Sequence, residues 1–224
     1  MPELGPSHHP EPDELLAYAA GTTEPWLSTL MACHLTLCPH CRQELVMLEE
    51  LAGVMIEDFG QELEADTAGT PLLPKPVLSP TAERVIPPRP VVPGEIASQV
   101  PRPLHGFFAE PVPRFRFLAP GVSHIPLTLD GGGRPVRLVR FRPGFVVPEH
   151  AHAGLEWLLI LSGHLLDATT GQRFARGDVS ERDTEDVHTQ LIGKDEPCVA
   201  VFAHLGPPIP RTLMGRILSK IVGL

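Results

Sequence analysis

Four residues near the N-terminus have side chains and spacing suited to binding one zinc ion. His34 and Cys38 lie four residues apart, so they share a face if they lie on one helix. Cys38 and Cys41 have the Cys-x2-Cys spacing that lets two sulfurs reach one ion, and His8 or His9 can supply a fourth ligand. A closed site of two cysteines and two histidines is structural and stabilises the fold. The alternatives are a metal-free redox pair or cysteines with unrelated roles.

The elements that must position this N-terminal cluster are predicted to be helices. A first helix over 12–20 begins with proline and acidic residues and ends before glycine. Pro25 opens a second helix, and Pro39 opens a third, which Gly53 bends or ends. Cys38 would then cap the third helix, where the exposed N–H groups and the helix dipole favour a thiolate. A head of about 60 residues has a small core, so a metal staple is expected.

A second cluster of possible metal ligands lies in the C-terminal half. Residues two apart in a strand face the same side, so His150 and His152 are expected to point inward together. Glu156 follows a turn at Gly154, and His188, expected on a later strand of the opposing sheet, completes the C-terminal cluster. Three imidazoles and a carboxylate suit zinc, iron, manganese, nickel or copper. The alternative is a set of buried histidines without a metal.

The pattern around the C-terminal cluster predicts antiparallel β-structure. Short β-type runs alternate with turn signals, which is typical of an all-β barrel or sandwich. These runs are 114–118, 122–129, 136–142, 155–161, 187–192 and 198–204, with hairpin turns at 130–133 and 170–171. Of the 27 prolines, twelve lie between Pro71 and Pro113, which predicts a semi-rigid spacer. The predicted division is a helical domain over 1–64, a linker over 65–104, a β-domain over 105–208 and an amphipathic helix over 209–224.

Composition restricts the classes of function. The net charge of −9 argues against a broad nucleic-acid-binding surface, so no direct DNA binding is expected. No run of about 18 apolar residues is present, so no membrane span is expected. The N-terminus lacks the basic start and apolar core of a secretory signal, which predicts a cytoplasmic protein. The C-terminal helix is expected to pack on the β-domain or on a second copy of the chain. A homodimer can form through this helix or through the β-domain.

Both clusters resemble known motifs. His9, 24 intervening residues and then His34-x3-Cys38-x2-Cys41 resemble the zinc-binding anti-sigma domain, a small helical bundle. Gly144-x5-His150-x-His152-x3-Glu156-x6-Gly163 resembles the first cupin motif, and a second motif begins at Gly177. In that second motif, Asp183 and Glu185 replace the usual proline and glycine, and Leu191 stands where asparagine is common.

Together, the two motifs resemble the ChrR-type anti-sigma factors. The resemblance implies an α + β multidomain protein, in which a zinc-stapled helical bundle precedes an antiparallel β-barrel of the cupin or jelly-roll type. It also implies a head that inhibits an extracytoplasmic-function sigma factor, and a cupin required for release by singlet oxygen or organic hydroperoxides. By the same resemblance, the head zinc is bound by His9, His34, Cys38 and Cys41, and the cupin metal (zinc or another divalent transition metal) is bound by His150, His152, Glu156 and His188.

One segment departs from the family, and two other functions remain open. Members often carry a fourth amphipathic helix that contacts the sigma factor, but here the stretch after residue 70 is rich in proline. Either the sigma-binding region is shorter, or the third helix extends through 54–63, or the partner differs. A different class of function is a cupin enzyme of the dioxygenase or isomerase type, with no catalytic residue identified. A third is a metal or redox sensor with a non-sigma partner. The fused anti-sigma head favours regulation without catalysis.

Overall fold

Helices form the N-terminal part of the chain. The computed structural model describes residues 5–66, 89–129, 136–204, 206 and 208–211. Each of the first three helices begins with a proline, as predicted, because a missing N–H costs nothing in the first turn. The helices are α1 Pro12–Ala19, α2 Pro25–Leu37, α3 Pro39–Asp66 and α4 Gly94–Ala97, with a 3-10 helix at Arg102–Phe107.

Helix α3 does not end at Gly53. It continues without interruption to Asp66, so of the three alternatives left open by the sequence, the extended third helix is the one found. A Cβ atom at Gly53 would meet no atom within 4 Å, which shows that this glycine is not required by a close contact. Because residues 49–59 are all exposed, helix α3 extends beyond the packed part of the bundle.

The rest of the described chain is β-structure in two antiparallel sheets. The six-stranded sheet has the order β1-β2-β3-β10-β5-β8, and the five-stranded sheet has the order β11-β4-β9-β6-β7. The strands are β1 Arg116–Ala119, β2 Val122–Leu127, β3 Val136–Phe141, β4 Val146–His152, β5 Glu156–Ser162, β6 His164–Asp167, β7 Arg173–Ala175, β8 Val179–Arg182, β9 Val187–Ile192, β10 Cys198–His204 and β11 Pro208–Pro210. This confirms the predicted α + β class and jelly-roll type. Among the described residues the two sheets form a sandwich and are not hydrogen-bonded into a closed barrel.

Strand β5 shows how the helices and the sandwich share a core. Its residues from Glu156 to Leu161 are all buried, so both faces of the strand are covered. Leu158 and Ile160 lie in the apolar cluster between the two sheets. The odd-numbered residues of β5 instead lie in a second cluster, the outer cluster, on the other face of the six-stranded sheet. The outer cluster includes Trp26, Leu30 and Cys33 of α2, Ile96, Val100 and Leu104 of the segment from α4 to the 3-10 helix, and Leu138, Trp157, Leu159 and Val201 of the sheet.

Turn chemistry explains two connections. Strands β6 and β7 pair as a hairpin around Thr170–Gly171, as predicted. Before β9, where the cupin motif usually has proline and glycine, aspartate side chains make the turn. The backbone N–H of Glu185 donates to Asp183 Oδ1 at 2.8 Å, and that of Asp183 donates to Asp186 Oδ2 at 3.1 Å. The substituted motif therefore keeps its connection by side-chain hydrogen bonds.

Several predictions concern segments that the structure describes only in part. Residues 67–88 of the proline-rich stretch, the turn at 130–133 and residues 212–224 of the C-terminal helix lie outside the described residues. Within the predicted linker over 65–104, residues 94–97 form α4 and residues 102–104 begin the 3-10 helix, and this segment contributes to the outer cluster. The domain division and the homodimer stay predictions. In the part of the chain that the structure describes, no helix has the length and apolar character that a membrane span requires.

The outer cluster leads to a prediction about stability. Leu30 is fully buried in it, so Leu30→Ala should lower the free energy of unfolding by about 2–5 kcal/mol through lost burial and a cavity. Urea unfolding followed by tryptophan fluorescence measures this, because both tryptophans, Trp26 and Trp157, belong to the outer cluster. Leu51→Ala, at a position that is 59% exposed, is the matched control and should change the value by about 0.5 kcal/mol or less. Equal effects of the two variants would contradict the packing described.

Candidate metal centres

The structure brings together the four predicted residues of the N-terminal cluster. Helix α2 carries His34 and ends at Cys38, α3 carries Cys41 in its first turn, and the segment before α1 supplies His9. His34 Nε2 lies 3.3 Å from Cys41 Sγ, and His9 Nδ1 lies 3.4 Å from Cys38 Sγ and 3.3 Å from Cys41 Sγ. One ligand atom from each residue lies within 4.8 Å of all the others. The donors therefore converge on one point.

The spacing and chemistry of these donors fit zinc. A tetrahedral zinc site with bonds of about 2.0–2.3 Å has ligand atoms roughly 3.5 Å apart, which matches the separations found here. Cys38 also occupies the predicted capping position, since the backbone N–H of Cys41 points at Cys38 Sγ from 3.4 Å. An N–H donor at this sulfur favours the thiolate form that zinc requires.

The electrostatics of the N-terminal cluster also favour a bound cation. Burial lowers the pKa of His34 to about 4, so the imidazole is neutral and keeps a lone pair for a metal. Burial, followed by the neighbouring Cys38, raises the pKa of the Cys41 thiol to about 12. Ionisation of the Cys41 thiol in this place therefore requires a compensating cation, and a divalent metal is the usual one.

The neighbouring donors are directed elsewhere. His8 Nδ1 lies 3.5 Å from Asp178 Oδ2, and its ring lies 4.3 Å from that of Phe174. Cys33 is buried in the outer cluster, and His40 Nε2 lies 3.4 Å from Glu44 Oε1 at the surface. Of the two adjacent histidines that the sequence left open, His9 is the one that joins Cys38 and Cys41.

A substitution tests whether the N-terminal cluster holds a metal. Cys38→Ser should lower the metal content of the purified chain by one ion, because three donors with one thiolate bind zinc far more weakly than four. Cys33→Ala is the matched control: it also removes a buried thiol, but one outside the cluster, and should retain the metal. Metal content per chain is measured by inductively coupled plasma mass spectrometry. If both variants keep the metal of the parent, the cluster does not bind it.

The C-terminal cluster is also assembled, but its strands differ from the prediction in one respect. His188 does not lie on the opposing sheet. It lies on β9, next to β4 in the five-stranded sheet, and is in register with His150. Glu156, at the start of β5, is the member that comes from the other sheet. The register places His188 Nε2 3.2 Å from both His150 Nε2 and His152 Nε2, and 3.9 Å from Glu156 Oε1.

Burial governs the charge of the C-terminal cluster. All four side chains are buried, and one donor atom from each lies within 4.8 Å of the others. Burial lowers the pKa of His152 and of His188 to about 4, and raises the pKa of Glu156 to about 8. Three neutral imidazoles and a buried carboxyl are donors that a divalent transition metal satisfies, since the metal stabilises the ionised carboxylate. The donor set fits such a metal but does not identify the element.

Three residues around this cluster were not identified from the sequence. Arg182 Nη2 donates to Asp167 Oδ2 at 3.0 Å, and Asp167 Oδ2 lies 3.6 Å from His188 Nδ1. A carboxylate behind a histidine ligand fixes the orientation of the ring. His204 Nδ1 lies 3.4 Å from Glu156 Oε2, because β10 and β5 pair these two residues in register. No spacing motif marks these positions, which become neighbours only through strand pairing.

Comparison with known proteins agrees with these two sites. Residues 112–207 match the family described as ChrR cupin-like domain. The anti-sigma-E factor ChrR of Cereibacter sphaeroides is 32% identical over 203 residues, which cover 89% of this chain and 90% of that protein. The crystal structure of Rhodobacter sphaeroides SigE in complex with the anti-sigma ChrR is similar with a TM-score of 0.61 at 32% identity, over 88% of this chain and 98% of that chain.

A helical head joined to a cupin-like sandwich, with a cluster of metal-binding residues in each, defines a regulator of the anti-sigma class. Because the chain is 32% identical to ChrR over 89% of its length, it belongs to the ChrR family of anti-sigma factors. Membership in this family supports a regulatory role and not an enzymatic one.

Proposed function

We propose that this anti-sigma factor sequesters an extracytoplasmic-function sigma factor through its helices, and frees it when an oxidant such as singlet oxygen or an organic hydroperoxide acts at the C-terminal cluster. The similarity over nearly the full chain to an anti-sigma factor crystallised with its sigma factor supports the first half of this proposal. The cytoplasm, where sigma factors meet RNA polymerase, is the proposed location. No DNA contact is part of the proposal, since the net charge is −9.

The observation that carries the proposal is an apolar stripe on helix α3. Met47, Leu51, Met55 and Phe59 recur every four residues, so they follow one line along the helix. Their side chains are 60%, 59%, 52% and 62% exposed. Four large apolar side chains in a row on an exposed helix are typical of a surface that a partner covers. We assign the sigma factor to this surface, which we call the α3 stripe.

The proposed zinc in the N-terminal cluster supplies structural cross-linking and no chemistry. Apart from the cluster, the head has a small apolar core, formed by Leu15, Met31 and Leu35 with partly buried side chains around them. His9 ties the N-terminal segment to the junction of α2 and α3, and so sets the direction in which α3 leaves the bundle. The α3 stripe is therefore presented in a fixed orientation when the cluster is intact.

The α3 stripe gives a binding prediction. The double substitution Leu51→Asp and Met55→Asp should weaken binding of the cognate extracytoplasmic-function sigma factor by about thirtyfold or more, because each charge loses its water at the interface. Gly53→Asp is the matched control. It adds one aspartate on the opposite side of α3, at a position with open space. Isothermal titration calorimetry measures both affinities, and equal affinities would contradict the assignment.

The C-terminal cluster is the proposed sensor. A divalent transition metal held by these three imidazoles and the carboxylate would supply Lewis-acid chemistry toward peroxides, and iron, manganese or copper would add redox chemistry. The protein's own residues exclude bulk water from the donors, since His152, Glu156 and His188 are each 2% exposed. Asp167 and Arg182 hold the ring of His188 from behind.

The sensing role gives a second functional prediction. With His188→Ala, a complex with the sigma factor should still form, but tert-butyl hydroperoxide should no longer dissociate it, because the cluster has lost a ligand. His164→Ala, a histidine outside the cluster on β6, should dissociate like the parent. Size-exclusion chromatography before and after the oxidant measures the free sigma factor. Normal release from the His188→Ala complex would move the sensor elsewhere, for example to Cys38 and Cys41.

A further inference from the structure

The turn between β7 and β8 of the sandwich touches the N-terminal cluster directly. Gly177 O lies 2.8 Å from His34 Nδ1, so the ring donates its Nδ1–H to this carbonyl. That hydrogen bond fixes the tautomer in which Nε2, the atom facing Cys41, keeps its lone pair. A backbone carbonyl of the sandwich therefore orients His34, which is a candidate metal ligand of the head.

The next residue of the turn holds the segment that carries His9. Asp178 is 2% exposed, and its Oδ1 accepts the backbone N–H of Ser7 at 2.6 Å and that of His8 at 2.9 Å. Its Oδ2 accepts the N–H of Ala175 at 2.7 Å, which anchors the carboxylate in its own turn. In addition, the N–H of Val179 donates to His8 O at 3.1 Å. The residue immediately before His9 is therefore bonded at both its backbone groups.

The head approaches this turn as closely as a glycine permits. Gly177 has a φ of +90°, a region that favours glycine. A Cβ atom there would lie 2.5 Å from Pro6 Cγ and 3.3 Å from Leu37 Cβ. Both neighbours belong to the head, one before His9 and one beside Cys38. The backbone of the turn is thus shaped to fit between the two segments that supply the ligands.

We propose that Gly177 and Asp178 are positioning residues of the N-terminal metal site, so that docking on the sandwich controls how firmly the head retains its metal. Two of the four ligands, His34 and His9, take their orientation from this turn. The turn leads directly into β8, which ends at Arg182 beside His188 of the C-terminal cluster. One short strand therefore joins the supports of the two clusters. This inference rests on the proposed occupancy of the N-terminal cluster by a metal.

The test follows cobalt(II) in the full chain. A cobalt ion bound by cysteine has thiolate-to-metal charge-transfer absorption, which a site of histidine and carboxylate lacks, so the band reports the N-terminal cluster alone. Its decay after addition of excess EDTA gives the rate of metal loss. Asp178→Asn should increase this rate by about tenfold or more, which is the scale of effect seen when groups that orient metal ligands are removed. Both carboxylate oxygens of Asp178 accept backbone N–H groups, so an asparagine would place its own NH2 donor against one of these donors.

Two controls separate positioning from general destabilisation. Asp195→Asn makes the same chemical change in the exposed β9–β10 turn, and Val139→Ala loosens the core between the sheets, to which no residue of the helical head belongs. Both should lose cobalt within about twofold of the parent rate. A second variant, Ser7→Pro, removes the N–H that donates to Asp178 from the head side, leaves the sandwich unaltered, and should accelerate loss in the same direction.

The outcomes distinguish the two proposals. An unchanged rate in both Asp178→Asn and Ser7→Pro, or an equal acceleration in Val139→Ala, would overturn the positioning role while the metal site stands. Absence of the thiolate band from the cobalt-loaded parent would overturn the metal site itself, and the positioning role with it. Faster loss in Asp178→Asn and in Ser7→Pro, with Asp195→Asn and Val139→Ala unchanged, supports the inference.

Discussion

The burial of helix α2 on two sides is the constraint on which the rest of the structure depends. One side packs against the six-stranded sheet through Trp26 and Leu30, and the other packs inside the head through Met31 and Leu35. His34 lies between these two surfaces and is fully buried. An imidazole in that place requires a partner for each ring nitrogen. It faces the cysteines with one nitrogen and the backbone of the sandwich with the other.

This arrangement explains how a small helical head keeps a defined shape. A bundle of about 60 residues buries little apolar surface, so packing alone gives it only marginal stability. The head instead shares the outer cluster with the sandwich, and it gathers four side chains that could hold a metal ion where α2, α3 and the segment before α1 meet. Helix α3 then projects beyond the bundle with an exposed apolar stripe. The stable part of the molecule thus positions the part that is free to bind a partner.

The sequence predicted local features well, because local chemistry decides them. The helix starts follow from proline in the first turn. Local spacing links His34 to Cys38 and His150 to His152, whereas the full ligand sets came from the resemblance to family motifs. His188 was placed on the wrong sheet because strand order is set by pairing between distant segments, which no spacing reveals. The roles of Arg182 and His204 were missed for the same reason.

The contact between the head and the sandwich was equally hidden in the sequence. Trp26 and Leu30 have the spacing of ordinary helix core residues, and nothing local indicates that a sheet covers them. The Gly177–Asp178 pair was recognised only as the start of a motif, although its glycine conformation and buried carboxylate serve the head. A motif therefore located the turn, and only the tertiary structure shows which segments it supports.

Co-expression of the full chain with its cognate extracytoplasmic-function sigma factor, followed by metal counting on the purified complex, tests the central claim most directly. The account predicts a stable complex in which each anti-sigma chain carries two metal ions, one of them zinc. A chain that purifies without the sigma factor, or a complex that forms with no zinc, would contradict it.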